Sequence, residues 1–464
     1  MLGPTWRERA FLDPEREFEI FPTVCGATRG GAMSNRRLIL QWRLTGWRLF
    51  SSKLLHGFSM DCFRGRSLRL SSIKSNSSRF RALVTLVICA AGVLPAQTSS
   101  PPNPTGPYSV GRMRFDWVDE SRADTVAQSG GKREIVVWVW YPAKPGNGAA
   151  PTEWLPGKWG ALYVAELRRL QPGDVTPSPA DSAPPPSVHA YQDAPVIGGQ
   201  QRFPVLVFSP GFGVLPTTYT ALIEDVVSHG YIVAGIVPTY FVPVTVFNDG
   251  RTVSGRSLGP LVSLPTLVGD IVFTLNQLAK MDGDSTSVLH ARLDLARIGL
   301  FGHSRGGATS LQAAKEDQRV KAVVDLDGTL IGSVAQQGLA KPLALILSGD
   351  FVAQQRELEA APKDDPRRRV FDAYDLVLRS GSPGYRVIMP STTHMSFSDL
   401  GWLPFISDSY KAKLGAIDRI RALRVSEDYI EAFFDQHLKE EPSPLMKAPS
   451  THHPEAIFEK NSQQ

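Results

Sequence analysis

The chain has 464 residues, of which 42% are hydrophobic and 20% are charged. This composition is typical of a soluble globular protein and argues against a disordered, collagenous or multi-pass membrane chain. The formal net charge of +5 comes from residues 1–96, which hold 15 lysines and arginines against 6 acidic residues. The rest of the chain holds 35 against 39, so we expect no nucleic acid as a partner of the folded part.

The first 96 residues are predicted to be a leader. An apolar run at 82–95 follows the basic pair Arg79 and Arg81 and precedes the small residue Ala96, which is the pattern of a secretory signal peptide. The run is shorter than the roughly 20 apolar residues of a membrane-spanning helix. We therefore expect a secreted or periplasmic protein, with a retained anchor as the alternative. The long stretch before the run makes Met60 an alternative start.

All three cysteines lie in this leader, at Cys25, Cys62 and Cys89. The remaining chain can therefore form no disulfide, no cysteine-ligated metal site and no thiol nucleophile. A chain without thiols is compatible with any redox compartment, so the cysteines do not decide where the protein works.

Composition divides the rest of the chain into three parts. Residues 97–107 are a linker rich in serine and proline, 108–440 are expected to form one folded domain, and the proline-rich 441–464 is predicted to be a flexible tail. Within the domain, residues 172–187 form a proline-rich stretch that predicts an exposed loop.

Short apolar runs alternate with helical patterns along the domain. The predicted strands are Met113–Val118, Ile135–Tyr141, Phe203–Phe208, Tyr231–Val237, Ile298–Phe301, Val320–Leu326, Leu343–Leu347 and Tyr385–Met389. The predicted helices are Thr217–His229, Leu261–Lys280, Ser304–Lys315, Arg368–Arg379 and Glu427–Leu438. This alternation predicts an α/β fold with a mostly parallel central sheet and helices on both faces, whose functional groups lie at the carboxyl ends of the strands.

One of these strand ends carries a G-x-S-x-G motif, Gly302-His303-Ser304-Arg305-Gly306, followed at once by a helical pattern. A turn from strand to helix places the serine hydroxyl above the sheet, and the flanking glycines allow the strand and helix to approach closely. We therefore predict that Ser304 is a nucleophile. His303 is expected to pack or to orient its neighbours.

A serine nucleophile needs a base, and in this fold the base follows the acid in the chain. His394 lies in a loop just after a predicted strand, which makes it the candidate base. The later histidines lie in a helical pattern or in the tail. The acid remains open at this point, because Asp325, Asp327 and Asp350 all lie at the ends of predicted strands.

Two further features surround the expected site. The loop Ser209–Gly213 follows a buried strand, and the backbone N–H groups of Phe212 and Arg305 are expected to form the oxyanion hole. The segment Leu400–Ile406 is unusually apolar. It would rim the strand ends, so Trp402, Leu403 and Phe405 are candidates for a substrate- or lipid-facing lip, although buried lid packing is the favoured interpretation.

The chain resembles the type II platelet-activating factor acetylhydrolases, a family of α/β-hydrolases. The resemblance covers nearly all of residues 107–440. It is carried by the segments 106–111, 140–142, 208–213, 228–234, 302–309 and 316–319. In this family the acid lies in a Leu-Asp-small step, which corresponds to Leu326-Asp327-Gly328 and implies Asp327, with Asp350 as the alternative. The family's histidine setting corresponds to His394, Phe397 and Asp399.

The resemblance implies a calcium-independent serine esterase without cofactor or metal, which releases short or oxidised sn-2 acyl groups from phospholipids through an acyl-enzyme. Two positions depart from the family: Pro210 replaces a frequent histidine, and Arg305 replaces an aromatic residue. The partner is thus expected to be a phospholipid or a small ester, with peripheral contact to a lipid surface. The alternatives are a general short-chain carboxylesterase or polyester hydrolase on the same triad, or an inactive binding module.

Overall fold

The structure is a computed structural model, and it describes residues 101–127, 130–176, 186–255 and 262–461. The chain divides into two units, Met1–Ala96 and Gln97–Gln464, and all described residues belong to the second. The predicted signal peptide and residues 177–185 of the predicted proline-rich loop lie outside the described residues. Within them, no helix combines the length and apolar character needed to cross a bilayer.

The described part contains a large sheet and a small two-stranded one. Their strands are β1 Ser109–Ala123, β2 Lys132–Ala143, β3 Tyr191–Gln192, β4 Phe203–Ser209, β5 Ile232–Pro238, β6 Val244–Val246, β7 Thr252–Ser254, β8 Leu293–His303, β9 Val320–Leu326, β10 Leu343–Ser348, β11 Gly384–Met389 and β12 Ile457–Lys460. The large sheet has the order β12–β11–β10–β9–β8–β4–β5–β2–β1–β3, and β6 pairs with β7.

The centre of the large sheet is parallel. Strands β4, β5 and β8 to β11 run in one direction, whereas β2 and β12 pair antiparallel with β5 and β11. Every residue of β4, β5 and β10 is buried, as expected for strands covered on both faces. The chain leaves β5 on one side of β4 and re-enters at β8 on the other. Such a reversal of strand order is where sheets of this kind place their sites.

Helices cover both faces. They are α1 Lys158–Leu170, α2 Thr220–Ser228, α3 Leu264–Gly283, α4 Arg305–Glu316, α5 Ser333–Gln337, α6 Gly349–Glu359, α7 Arg368–Ser380, α8 Asp408–Lys411 and α9 Arg419–Phe434. One apolar cluster joins α1, α2 and α9 to the sheet, and a second joins α3, α4 and α7. Alternate residues of β2 divide between the clusters: Trp138 belongs to the first, and Val137 and Val139 to the second.

The predicted mostly parallel sheet with helices on both faces is confirmed, and each predicted strand and helix overlaps an observed one. Helices α1 and α6 and the short helices α5 and α8 were not predicted. In α1 the buried residues Trp159, Tyr163 and Leu167 recur every four positions. The sequence therefore contained a helical pattern here that the prediction missed. In α6 only Phe351 and Leu358 are buried, which is too sparse a pattern to predict a helix.

The predicted flexible tail over 441–464 is wrong for its last described part. Strand β12 pairs antiparallel with β11, with Tyr385 opposite Lys460, and the Phe458 side chain is buried. The Arg386 guanidinium binds the Glu459 carboxylate at 2.5 and 2.8 Å. The strand depends on the free edge of β11, a partner that local composition does not reveal.

Candidate active site

Ser304 lies at the tight turn between β8 and α4, and this turn imposes an unusual backbone conformation on it. Its φ of 56° and ψ of −126° are strained for a residue with a side chain, and its N–H donates to the Leu326 carbonyl oxygen at 2.8 Å. A Cβ atom at Gly302 or Gly306 would lie 2.5 or 2.1 Å from the Ser209 carbonyl oxygen. Both glycines are therefore required for β4, β8 and α4 to meet at this point.

His394 contacts both predicted partners. Its loop follows β11 and forms a short 3₁₀ turn, His394–Phe397, which a reciprocal Thr393–Ser396 capping box closes. The Nε2 atom lies 2.9 Å from the Ser304 Oγ, and Nδ1 lies 2.6 Å from the Asp327 Oδ2. A carboxylate at Nδ1 favours the tautomer protonated there, which leaves Nε2 free to accept the serine proton.

Asp327 is held by its neighbour at the end of β10. The Ser348 N–H donates to the Asp327 Oδ1 and the Ser348 hydroxyl to Oδ2, each at 2.9 Å. The Asp327 side chain is 5% exposed, and its φ of 52° turns it out of the strand direction. The sequence assigned Ser348 no role beside Asp327, because a serine at a strand end does not by itself indicate which carboxylate it binds.

The two other carboxylates occupy different places. The Asp350 Oδ2 accepts the backbone N–H of His394 at 3.0 Å, so Asp350 fixes the loop rather than the ring. Asp325 is fully buried and accepts the Gly328 N–H at 3.0 Å. Burial, with the charge of Asp327 as the second cause, raises the pKa of Asp325 well above its ordinary value. Of the three candidate carboxylates, Asp327 is therefore the one that contacts the His394 imidazole.

A second histidine supports the first. The His303 Nε2 lies 2.7 Å from the His394 carbonyl oxygen. Because a carbonyl can only accept, this nitrogen carries the proton, and Nδ1 accepts the Tyr219 hydroxyl at 2.8 Å. The Gly211 N–H also bonds the Tyr219 oxygen. Tyr219 thus links the loop after β4 to the serine turn, a contact that the sequence gave no means to predict.

The loop predicted to supply the oxyanion hole lies beside the serine. A Cβ atom at Gly211 would be 3.4 Å from the Ser304 Cβ, which places the neighbouring backbone of Phe212 near the hydroxyl. The Phe212 ring packs edge-on against Phe241 with ring centroids 5.3 Å apart. Arg305 is the first residue of α4, whose opening N–H groups have no acceptor within the helix.

Trp402, Leu403 and Phe405 are in buried packing and form no exposed lip toward a lipid surface. Their side chains are 8%, 0% and 6% exposed, and the Phe405 ring packs on Trp154 with centroids 5.4 Å apart. The Thr176 N–H pairs with the Phe405 carbonyl oxygen at 2.9 Å. The segment is covered by residues distant in the chain, so its apolar side chains belong to the hydrophobic core.

Asp399, which the family resemblance groups with His394, binds the start of a helix rather than the catalytic residues. The N–H groups of Thr220 and Ala221 donate to its carboxylate at 2.6 and 3.3 Å, so it caps the start of α2. Among the described residues, three side chains that could together ligate a metal ion lie close to one another: Asp225, His229 and Glu431. This group joins α2 to α9.

A parallel sheet whose strand β8 ends in a strained serine, with a histidine and an aspartate from the loops after β11 and β9, defines the class of α/β-hydrolases. The family model "Platelet-activating factor acetylhydrolase, isoform II" matches residues 94–237 and 274–446, more than half of the chain. The chain belongs to this family.

Three known proteins are similar to the chain. A probable 1-alkyl-2-acetylglycerophosphocholine esterase of Arthroderma benhamiae is 26% identical over 417 residues, which cover 80% of this chain and 98% of that protein. The platelet-activating factor acetylhydrolase of Canis lupus familiaris is 25% identical, and the match covers 59% of this chain and 65% of that protein. A solved ferulic acid esterase from Streptomyces cinnamoneus has a TM-score of 0.61 and 29% identity, and covers 77% of this chain and 98% of its own. The chain is therefore a carboxylic ester hydrolase with the α/β-hydrolase fold.

Proposed function

We propose that the protein hydrolyses esters through an acyl-enzyme on Ser304, with His394 as base and Asp327 as acid. The observation that carries this proposal is the position of His394, whose two ring nitrogens lie 2.9 and 2.6 Å from the Ser304 Oγ and the Asp327 Oδ2. Both distances are those of hydrogen bonds that transfer or hold a proton.

In the first half-reaction the Ser304 oxygen attacks the ester carbonyl carbon while its proton passes to the His394 Nε2. Asp327 stabilises the resulting imidazolium, and the N–H groups of Phe212 and Arg305 bind the tetrahedral oxyanion. The intermediate expels the alcohol, which takes the proton from His394. A water molecule then attacks the acyl carbon and gives a proton to His394. As the bond from the acyl carbon to the Ser304 Oγ breaks, His394 returns this proton to the Oγ, and the acid leaves.

The proposed substrate is a phospholipid with a short or oxidised sn-2 acyl group, cleaved without calcium. The relatives from Arthroderma benhamiae and Canis lupus familiaris are named for action on acetylated glycerophosphocholine and on platelet-activating factor. The mechanism assigns every proton and developing charge to a side chain or backbone N–H, so no step requires a metal ion.

A general short-chain carboxylesterase or polyester hydrolase is the second candidate. The burial of Trp402, Leu403 and Phe405 favours it, because these residues offer no apolar rim to a lipid surface. The similarity to a ferulic acid esterase is in line with a small soluble ester. Peripheral membrane contact would then be weak.

Secretion is proposed from the apolar run at 82–95, with cleavage after Ala96. Expression of the full chain with its leader, followed by N-terminal sequencing of the exported protein, tests this directly. We expect the mature chain to begin at Gln97. An exported chain that retains residues 82–95 would indicate the anchor instead.

The activity is tested by measuring acetate release from a phospholipid with an sn-2 acetyl group beside a simple soluble acetyl ester, in the presence of a calcium chelator. Hydrolysis of both, with the phospholipid preferred and with no turnover by Ser304→Ala, supports the proposal. Turnover of the soluble ester alone supports the second candidate. Turnover that survives Ser304→Ala, or that requires calcium, contradicts the proposed mechanism.

A further inference from the structure

Arg305 follows the proposed nucleophile directly and begins α4. Consecutive Cα atoms lie about 3.8 Å apart, so the Arg305 side chain starts beside Ser304 whatever its rotamer. The side chain is partly exposed, yet its Nε atom is buried and has no hydrogen-bond partner. Arg305 therefore combines access to solvent with an unsatisfied donor at the edge of the site.

Three other buried or partly buried arginines of the described chain have partners for their guanidinium groups. Arg112 donates to the backbone carbonyl oxygens of Trp154 and Glu153 at 3.0 and 2.7 Å. Arg133 pairs with Asp270 at 2.7 Å, and Arg424 pairs with Asp225 at 3.1 Å. Arg305 has no such ion pair among the described residues. Burial lowers the pKa of Arg305, and no charged group among the residues that the structure describes opposes this effect. A partly buried charge without a partner is costly, because protein contacts do not replace its lost hydration.

The position within the helix adds to this cost. The first turn of an α-helix carries the positive end of the helix dipole, which disfavours a cation and favours an anion. Arg305 thus places a cation at the positive end of α4. Burial, the unpartnered Nε atom and the helix dipole are all unfavourable for the free side chain. All three become favourable if an anion binds beside it, since guanidinium and helix N-terminus then act on the same charge.

We infer that Arg305 is a specificity-determining residue whose guanidinium binds an anionic group, a carboxylate or a phosphate, carried by the ester substrate. This inference rests on the proposed function, because it assumes that the ester binds at Ser304. The anion can belong to either part of the substrate. In the half-ester of a dicarboxylic acid it lies on the acyl part, whereas in the ester of a phosphorylated alcohol it lies on the leaving group.

Two matched pairs of soluble esters distinguish these sources. Ethyl butyrate and monoethyl succinate differ in charge on the acyl part, and glycerol monoacetate and acetylated glycerol 3-phosphate differ in charge on the alcohol. For each pair the measured quantity is the ratio of kcat/KM for the anionic ester to kcat/KM for the neutral ester. The full chain and its variants Arg305→Met and Arg305→Lys are compared.

For one pair we expect Arg305→Met to lower the ratio roughly 10- to 100-fold, the range of a charge-assisted hydrogen bond. Arg305→Lys is expected to retain much of the preference, because it keeps the charge but loses the bidentate geometry. The pair that responds identifies the part of the substrate that carries the anion. A ratio within one variant also cancels any general loss of active protein.

Arg202→Met is the matched control. Arg202 precedes the amino end of β4, whereas Ser304 lies at the carboxyl end of the neighbouring β8, and it pairs with Asp282 at 2.7 Å. Its replacement removes the same charge as Arg305→Met. Equal ratios in the wild type and Arg305→Met, or an equal fall in Arg202→Met, would overturn the inference. If the neutral esters are then still cleaved in a Ser304-dependent way, the proposed function stands alone. If no ester is cleaved, both fail together.

Discussion

Asp327 and Asp350 hold different parts of His394. The Asp327 Oδ2 lies 2.6 Å from the ring nitrogen Nδ1, whereas the Asp350 Oδ2 accepts the backbone N–H at 3.0 Å. The first contact sets the tautomer and stabilises an imidazolium, and the second fixes the loop on which the ring is carried. The two carboxylates should therefore differ sharply in their effect on turnover.

Replacement of Asp327 by Asn is expected to lower kcat by about 10⁴-fold, because the amide can no longer stabilise the charged ring or select its tautomer. Replacement of Asp350 by Asn should cost less than about 10-fold, since the amide oxygen still accepts the His394 N–H. Steady-state kinetics on a soluble acetyl ester compares the two. An equal loss in both variants would contradict the assignment of Asp327 as the acid.

His303 and Tyr219 form a buried support for the same loop. The His303 ring lies 4.5 Å from that of His394, centroid to centroid, and its Nε2–H donates to the His394 carbonyl oxygen. Together with Asp350, this contact fixes both the N–H and the C=O of His394. The base is thus held through its backbone as well as through its ring.

At the scale of elements, β12 places one residue on each face of the sheet edge. Phe458 is 8% exposed and Ile457 is 48% exposed. Phe458 packs against Tyr385 and Tyr429, with ring centroids 6.1 and 6.3 Å away. The alternation predicts that the two neighbours contribute very differently to stability.

We expect Phe458→Ala to reduce the free energy of unfolding by about 3 kcal/mol, as for other buried aromatic residues. Ile457→Ala on the same strand should change it by less than about 1 kcal/mol, because the side chain is largely in water. Urea denaturation followed by circular dichroism measures both. If the two variants were equally stable, β12 would not be packed as described.

The segment after α9 carries a histidine that burial keeps neutral. His437 lies in a π-helical turn, Asp435–Lys439, and its Nε2 is 3.2 Å from the Tyr385 hydroxyl. Burial, with the charge of Lys460 as the second cause, lowers the pKa of His437 from 6.5 to about 4. Between these values the unfolded chain binds a proton that the folded chain does not.

The contribution of His437 to stability is therefore complete above pH 6.5 and is lost as the pH falls towards 4. After allowance for the partial exposure of the ring, we expect this loss to lower the free energy of unfolding by about 2 kcal/mol. Urea unfolding at several pH values, on the wild type and on His437→Gln, isolates this group. The difference between the two proteins should change over this interval, and a constant difference would contradict the lowered pKa.

At the scale of the molecule, a buried ion-pair network ties the outer strands to the helical layer. Arg133 in β2 and Asp270 in α3 are each 1% exposed, and their side chains meet at 2.7 Å. Arg122 in β1 binds the same carboxylate at 2.9 Å. Asp270 therefore compensates two cations. Its loss would leave the buried Arg133 with only the longer contact to Asp124 at 3.4 Å, whereas Arg122 would keep its pair with Asp119 at 2.5 Å.

We expect Asp270→Asn to lower the free energy of unfolding by about 3–5 kcal/mol, the usual cost of breaking a buried pair. Glu134→Gln, which breaks the exposed pair with Arg251, is the matched control and should cost at most about 1 kcal/mol. Thermal and urea unfolding of both variants tests this. A small effect of Asp270→Asn would show that water reaches the pair.

The site is also a property of the whole sheet. Ser304 follows β8, Asp327 follows β9 and His394 follows β11. Because parallel strands end at one edge, residues about 90 positions apart meet there. This rule allowed the serine and the histidine to be chosen from the sequence. It could not choose among Asp325, Asp327 and Asp350, which all lie at that edge.

The sequence by itself determined the parallel sheet, the serine turn and the histidine loop. Apolar periodicity, the steric need for glycine around Ser304 and the order of the motifs act locally along the chain. The resemblance to a known family added Asp327. Only the tertiary structure decided that Asp327 meets the imidazole, that Trp402, Leu403 and Phe405 are buried and that β12 closes an edge. These outcomes depend on side-chain direction and on partners far along the chain, which no local pattern encodes.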